Sequence, residues 1–257
     1  MTDPADSRSL LQEIVAAVDS GDPVVLATVV ETAHATPTHG GAKMLVYADG
    51  RSSGTVGGGA VEAAVTADAL EAIEDERGRL THYDLAELGM CPGELTVYLE
   101  PHLPPPTVLV LGCGHVGRAV VELAHWLGFR VVALDDRQEL VTRKLLPDAD
   151  ELLAGPFAET LRRIRVTERT HVVVTTRNTD IDLELLPLLL ATPAGSIGVL
   201  GSRRRWDRTR TALLAGTVTA EQLERVKSPI GLDLGAHTPR EIALSILAEL
   251  LTLRPRT

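Results

Sequence analysis

A glycine-rich turn between an apolar strand and a helix restricts the fold of this chain more than any other feature. In VLVLGCGHVGRAVVELAHW (108–126), a β-branched run precedes the glycines and a helical pattern follows them. The first glycine of such a G-x-G-x-x-G pattern permits a tight turn, the second lets backbone amides approach a pyrophosphate, and the third lets the helix pack close to the strand. The residues predicted to contact a pyrophosphate are Gly112, Gly114, His115, Val116 and Gly117.

An acidic pair ends the next apolar run, RVVALD. Asp135 and Asp136 come 18 and 19 residues after Gly117. A carboxylate at this place accepts hydrogen bonds from the hydroxyls of an unphosphorylated ribose, whereas an arginine such as Arg137 accommodates a 2′-phosphate. Strand, glycines, helix, strand and acid in this register predict a Rossmann-type domain that binds a dinucleotide through these residues, and the alternative is a Rossmann fold that has lost its ligand.

The chain is long enough for two domains. Its 257 residues exceed the usual size of one domain, and a hydrophobic content of 44% supplies a core. EPHLPPPT (100–107) has four prolines in eight residues, which predicts a stiff connector. The predicted division is a smaller N-terminal α/β domain (1–101), a proline-rich linker (102–107) and a Rossmann-like domain (108–257). In the last of these, the strands VLVLG, RVVALD, HVVVTT and SIGVLG alternate with helices, which predicts a parallel sheet.

The N-terminal half contains a second glycine-rich turn. Gly57, Gly58 and Gly59 directly precede a helical pattern, so their amides are candidates for an anionic or flat ligand, and Glu62 falls in the first turn. The alternative is a tight strand-to-helix turn with no ligand. Cys91 lies in a predicted loop, GMCPGEL, where a thiolate can react or bind a metal centre. The alternative for Cys91 is a small, inert hydrophobic residue.

Arginines follow the apolar strand SIGVL. Loops at the carboxyl ends of parallel strands form the ligand crevice in open α/β sheets. Ser202 is predicted to cap the next helix while Arg203 or Arg204 contacts an anion, and the alternative is a solvated helix face. The loop TTRNTD brings Arg177 and Asp180 to the same edge.

Composition excludes several classes of function. A net charge of -10 weighs against nucleic acid, which requires clustered cations. Two cysteines do not make a disulfide framework, and the polar N-terminus and lack of a long apolar run predict a cytoplasmic protein without a membrane span. The eight histidines lack metal-ligand spacing, and no nucleophile elbow or P-loop is present. The sequence therefore indicates a binding site more clearly than a catalytic one.

These motifs, in this order, resemble the XdhC/CoxI family, the accessory factors that mature molybdenum hydroxylases such as xanthine dehydrogenase. The resemblance covers nearly the whole chain. It rests on ATVVETAHATPTHGGAKMLV, DGRSSGTVGGGAVE, ELGMCPGELTVYLEP, VLVLGCGHVGRAV, FRVVALDDR, IGVLGSRRR and SPIGLDLGAHTPREIALSILAEL.

The resemblance implies a non-catalytic chaperone that binds molybdenum cofactor. Family members keep the cofactor available for sulfuration by a cysteine desulfurase and help to insert it into the apo form of a molybdenum hydroxylase. Molybdopterin cytosine dinucleotide carries a pyrophosphate and a ribose, so we infer, beyond what the resemblance implies, that the Rossmann-like domain would hold that end. Gly57–Gly59 and Cys91 would then face the pterin and the metal. The chain has Pro92 where the family commonly has glycine, which removes a backbone donor there.

Two other functions agree with the same motifs. An NAD(P)-dependent oxidoreductase would bind its nicotinamide cofactor at the glycine-rich turn, and a nucleotide-sensing regulatory protein would change its domain orientation on binding. A homodimer is also expected, because aliphatic-rich domains with few aromatics often bury extra surface together.

Overall fold

The computed structural model describes residues 4–90 and 92–253, so Cys91 lies outside the described residues. The chain divides into two compact units, the first ending at Pro104 and the second beginning at Pro105. Across the described ranges, no helix combines the length and apolar character needed to cross a bilayer.

The first unit is a five-stranded antiparallel sheet in the order β3-β2-β1-β5-β4 with two helices. Its elements are α1 (Pro4–Ser20), β1 (Val24–His34), β2 (Lys43–Tyr47), β3 (Ser52–Gly54), α2 (Gly59–Asp75), β4 (Arg79–Asp84) and β5 (Gly93–His102).

Alternation along β1 directs its side chains to two apolar layers, as the two-residue period of a strand requires. Val25 and Ala27 pack in the layer that contains α2, and Val24 and Leu26 pack in the layer that contains α1. The buried stripe of α2 recurs every three or four residues, the spacing of one helix face. Its members are Val61, Val65, Ala69 and Ala72.

Strand β5 continues into the proline-rich segment that the sequence assigns to a connector. Pro101 pairs with Val25, and His102 pairs with Val24. On its other side β5 does not pair with β4 beyond Leu99. A proline is tolerated at such a locally unpaired edge, where its missing amide breaks no ladder hydrogen bond.

The second unit is a six-stranded, wholly parallel sheet in the order β11-β10-β9-β6-β7-β8. Counted within this unit, the order is 6-5-4-1-2-3, the arrangement of a Rossmann fold. The predicted Rossmann-type domain is therefore confirmed. Its strands are β6 (Thr107–Leu111), β7 (Arg130–Asp135), β8 (Glu151–Ala154), β9 (Thr170–Val174), β10 (Ser196–Val199) and β11 (Val226–Lys227). Its α-helices are α3 (His115–Trp126), α4 (Phe157–Leu161), α5 (Thr179–Leu190), α6 (Arg203–Leu214), α7 (Ala220–Glu224) and α8 (Pro239–Thr252).

Apolar layers cover both faces of this sheet. Leu109 and Leu111 of β6 pack in the layer that contains α5, whereas Val108 and Val110 pack with α3 and α8. Each fully buried aliphatic side chain contributes about 1.5–3 kcal/mol. Because β6 is apolar on both faces, it is held firmly at the centre of the sheet. The turn that follows β6 therefore starts from a rigid strand.

Candidate functional site

The carboxyl ends of four parallel strands bring the predicted site residues of the second unit to one edge. Strand β6 pairs with β7 on one side and with β9 on the other. The chain order reverses at this point, and such a switch point opens a crevice between the loops. The ends of these strands, the loops that follow them and the first turns of the next helices supply the predicted site residues of this unit.

Packing explains the first and third glycines of the turn after β6. Gly112 has a φ of +110°, and a Cβ on it would lie 2.6 Å from the Thr175 carbonyl oxygen. A Cβ on Gly117 would overlap the carbonyl oxygen of Gly112. These two glycines therefore let the turn approach β9 and let α3 pack onto the turn.

Neither conformation nor packing explains Gly114. Its φ is -69°, which any residue adopts, and a Cβ there would meet no atom of the described residues within 4 Å. Glycine at this position keeps a space open, rather than avoiding a collision inside the protein. A ligand that approaches the backbone needs such a space.

The N-terminus of α3 also has no side-chain cap. By contrast, α5, α6 and α8 are capped by Asn178, Ser202 and Thr238, whose side chains each accept a backbone N–H. The first turn of α3 contains no acidic residue. Its first amides, including those of His115, Val116 and Gly117, therefore present unpaired donors and the positive end of the helix dipole to the crevice.

Asp135 has an internal role that the sequence did not predict. It is fully buried, and its carboxylate accepts a hydrogen bond from Cys113 N at 2.7 Å. Three further bonds come from the backbone N, Nε and Nη2 of Arg137, each at 2.9 Å. A carboxylate offers about four acceptor positions, so all are in use. The assignment of Asp135 to a ribose stays a prediction, and it requires Arg137 to move away first.

Cys113 is a small packing residue within the glycine-rich turn. Its side chain is fully buried. Burial, with a smaller contribution from the Asp135 charge, raises the pKa of this thiol to about 12. The neutral thiol fills space within the turn, and the reactive thiolate is suppressed.

An ion pair spans the turn from the loop after β7 to the loop after β9. Arg177 donates from Nη1 and Nη2 to the two carboxylate oxygens of Asp136 at 2.6 and 2.7 Å. Because β7 and β9 flank β6, the pair joins the two sides of the crevice. Hydrogen bonding from Arg177 lowers the pKa of the Asp136 carboxyl to about 2.

The arginines after β10 have different roles. Ser202 caps α6 as predicted, accepting from Arg205 N at 3.2 Å, whereas Arg203 is exposed. Arg205 is the one that the sequence analysis missed: its Nη2 donates to the fully buried Asp182 at 2.6 Å and to Asn178 O at 3.0 Å. The sequence signal that could have indicated this ion pair is an arginine three residues after a serine N-cap, together with an aspartate at the start of the preceding helix.

In the first unit the second glycine-rich turn is braced by its own residues. Glu62 accepts hydrogen bonds from Thr55 Oγ1 at 2.5 Å and from Gly58 N at 3.4 Å. Gly57 has a φ of +129°, and its Cβ would lie 3.1 Å from Pro37. Gly58 also has a positive φ, of +108°, while Gly59 meets no neighbour within 4 Å. This turn therefore packs against the loop between β1 and β2, and the Glu62 carboxylate accepts a hydrogen bond from one of its backbone amides.

The start of β5 lies at the same end of the antiparallel sheet. A Cβ on Gly93 would overlap the carbonyl oxygen of Ala35. The loop between β1 and β2 therefore contacts the chain two residues after Cys91. Cys91 itself lies outside the described residues. Within them, no group of three or more His, Cys, Asp or Glu is placed to hold a metal ion.

Two family models match this chain. The model for the XdhC Rossmann domain matches residues 108–250, more than half of the chain, and the model for the XdhC and CoxI family matches residues 17–84. A crystal structure of a xanthine dehydrogenase from Bacillus halodurans aligns with a TM-score of 0.53 at 23% identity, covering 95% of each chain. At that identity the likeness shows the fold alone.

Among curated proteins, YqeB of Escherichia coli K12 is 34% identical over 90% of this chain, and a probable xanthine dehydrogenase subunit from Bacillus subtilis 168 is 31% identical over 62%. The chain spans less than half the length of these two relatives, 44% and 46%. The molybdenum cofactor insertion chaperone PaoD of Escherichia coli K12 is 25% identical, over 97% of this chain and 89% of that protein. With both family models matched in the expected order, the chain belongs to the XdhC and CoxI family.

Proposed function

We propose that this chain is a cytoplasmic accessory factor that binds molybdenum cofactor and delivers it to a molybdenum hydroxylase. Family membership supports this proposal, as does the likeness to an insertion chaperone over nearly the whole length of both proteins. The observation that carries it is the open, uncapped turn at Gly114, because a protein that hands over a cofactor must first hold it.

The dinucleotide form of the cofactor suits this turn best. The pyrophosphate of molybdopterin cytosine dinucleotide would accept hydrogen bonds from the amides of His115, Val116 and Gly117, in the space that a Cβ on Gly114 would fill. The cofactor supplies the molybdenum centre, while this chain's residues bind its anionic part and release it to the client enzyme.

A ribose next to the pyrophosphate would meet the Asp135–Arg137 pair. Arg137 has 36% of its side chain exposed, whereas Asp135 has none. The ribose hydroxyls would therefore contact Arg137 first, and they gain access to the Asp135 carboxylate only when that guanidinium turns toward solvent.

The loops of the first unit are proposed to face the pterin and the metal. The residues that we assign to this role are Gly57–Gly59, Glu62 and Cys91, with Cys91 as the contact to the metal centre. A cysteine desulfurase and a molybdenum hydroxylase apo-enzyme are the proposed partners, and a homodimer is the proposed state of the chain.

A second candidate is an NAD(P)-dependent oxidoreductase, and Arg137 is the observation that favours it. An arginine beside the acidic end of the second strand accommodates the 2′-phosphate of NADP. Its guanidinium is partly exposed in the crevice, where such a phosphate would arrive.

Calorimetry separates the two functions. The purified protein is titrated with molybdopterin cytosine dinucleotide, cytidine diphosphate, NAD and NADP under one set of conditions. The proposal predicts tightest binding of the pterin dinucleotide and weaker binding of cytidine diphosphate. Tight binding of NADP with no response to the pterin dinucleotide would overturn it in favour of the oxidoreductase.

A further inference from the structure

A basic cavity lies further along the same sheet edge. It has a volume of about 290 Å³ and lies where α5 and α6 begin, after the ends of β9 and β10. Four of its lining residues are arginines, and the N-caps of both helices also line it. The arginines are Arg177, Arg204, Arg205 and Arg208, and the two N-caps are Asn178 and Ser202.

Two of the four arginines already have carboxylate partners. Arg205 pairs with the buried Asp182, and Arg177 pairs with Asp136. Within residues 4–90 and 92–253, neither Arg204 nor Arg208 forms an ion pair, and both are exposed. The cavity therefore holds two guanidinium charges without a protein counterion.

The placement of these charges opposes helix electrostatics. Anionic residues stabilise the N-terminus of a helix and cations destabilise it. Helix α5 has Asp180 and Asp182 in its first turn, whereas α6 begins with three arginines and no acid. Arg204 and Arg208 are also four residues apart, so two like charges share one helix face and repel each other.

General basicity of the chain does not explain this arrangement, because the net charge is -10. An anion in the cavity would offset both unfavourable terms at once. Residues that break a local rule without a compensating contact in the protein are expected at functional sites. The two unpaired guanidinium groups match the double charge of a phosphate monoester, whose oxygens fit the forked donors of arginine.

We propose that the cavity between the N-termini of α5 and α6 binds a dianionic phosphate group, with Arg204 and Arg208 as its main contacts. Ser202 Oγ accepts from Arg205 N and keeps its own proton to donate to a phosphate oxygen. The residues that line the cavity follow β9 and β10, whereas the turn at Gly114 follows β6 and precedes α3. The proposal therefore does not depend on molybdenum cofactor.

Methyl phosphate is the probe, titrated calorimetrically into the full chain at low ionic strength and pH 7.5. Methyl sulfate has the same shape and a single charge, and it is expected to bind more weakly. The variant Arg204→Gln/Arg208→Gln is expected to weaken methyl phosphate binding by about tenfold or more, since each lost bond involved two charged groups.

The control variant Arg162→Gln/Arg210→Gln removes two exposed arginines of the same unit that do not line the cavity. It is expected to bind methyl phosphate within about twofold of the wild type, because neither of its arginines lines the cavity. Gly114→Val is likewise expected to keep methyl phosphate binding, which separates this site from the proposed function.

Thermal unfolding without ligand completes the test. Arg204→Gln/Arg208→Gln is expected to melt at the wild-type temperature or above it, because the repulsion at the start of α6 is removed. The proposal is overturned if this variant binds methyl phosphate as well as the wild type does, or if the control variant loses binding to the same degree.

Discussion

The two units each contain a glycine-rich turn that runs into the first turn of a helix, Gly112–Gly117 into α3 and Gly57–Gly59 into α2. In each turn one glycine lacks a structural reason: Gly114 and Gly59 have no positive φ, and a Cβ on either would meet no atom within 4 Å. The sequence patterns and the open spaces are thus similar, and the difference lies in charge.

Each turn has a carboxylate that accepts a backbone amide. In the second unit this is Asp135, whose charge is balanced by Arg137, and the first turn of α3 has no acid. In the first unit it is Glu62, which lies within the first turn of α2 and pairs with no Lys or Arg in the described part of the chain. An open glycine therefore indicates an anion site only where the helix end is still electrostatically unsatisfied.

The largest expected effect concerns glycines that packing requires. Gly117→Ala places a methyl group against the Gly112 carbonyl, so backbone must shift, and we expect a loss of about 3 kcal/mol in the free energy of unfolding. The matched change Gly59→Ala meets open space and should stay within about 0.5 kcal/mol of the wild type. Chemical denaturation measures both. Equal losses would show that the two turns are packed alike.

The two carboxylates give the next largest contrast. Asp135→Asn removes the charged partner of Arg137 at a fully buried position, and we expect the free energy of unfolding to fall by about 2 kcal/mol. The loss is no larger because the guanidinium of Arg137 can turn toward water. Glu62→Gln changes a half-buried carboxylate in the first turn of α2 and should lower the free energy of unfolding by about 0.5 kcal/mol. Urea unfolding of both variants provides the comparison, and a larger loss in Glu62→Gln would contradict the assigned roles.

The smallest effect is a pH dependence of the ion pair across the turn. The Asp136 carboxyl has a pKa lowered from 3.8 to about 2 by its bond with Arg177, so its stabilisation is complete above about pH 4 and is lost as the pH falls toward 2. Since Arg177 is 43% exposed, the contribution is at most about 1 kcal/mol. We expect the stability difference between wild type and Asp136→Asn to close over that range. A difference that persists at pH 2 would show that the charge of Asp136 is not its source.

Much of the fold was predictable, because apolar runs and turn residues agree with it. Thr238, Pro239 and Glu241 have the sequence spacing of a capping box, and the box is present at the start of α8: Thr238 accepts a hydrogen bond from Glu241 N, and Pro239 follows the N-cap. Strands β8 and β11 were missed, since segments of four and two residues are too short to show a period. The prolines of EPHLPPPT predict a connector, yet β5 runs on to His102, because the end of its pairing with β4 at Leu99 is a tertiary fact.

The site was predictable in its location and less so in its contacts. The glycine pattern identifies which turn faces the crevice. It does not show that Arg137 donates hydrogen bonds to Asp135, or that Arg177 donates them to Asp136. These bonds join loops far apart in sequence or depend on the direction of a flexible side chain. The sequence also does not separate Arg205, bound to Asp182, from Arg204 and Arg208.

The central claim is that the space at Gly114 is kept open for the pyrophosphate of a bound cofactor. The most direct measurement is calorimetric titration of wild type and Gly114→Val with molybdopterin cytosine dinucleotide, with thermal melts of both proteins. We expect Gly114→Val to melt as the wild type does, because no protein atom lies within 4 Å of the added Cβ, and to bind at least about 100-fold more weakly. A variant that folds normally and binds the pterin dinucleotide with wild-type affinity would contradict the account.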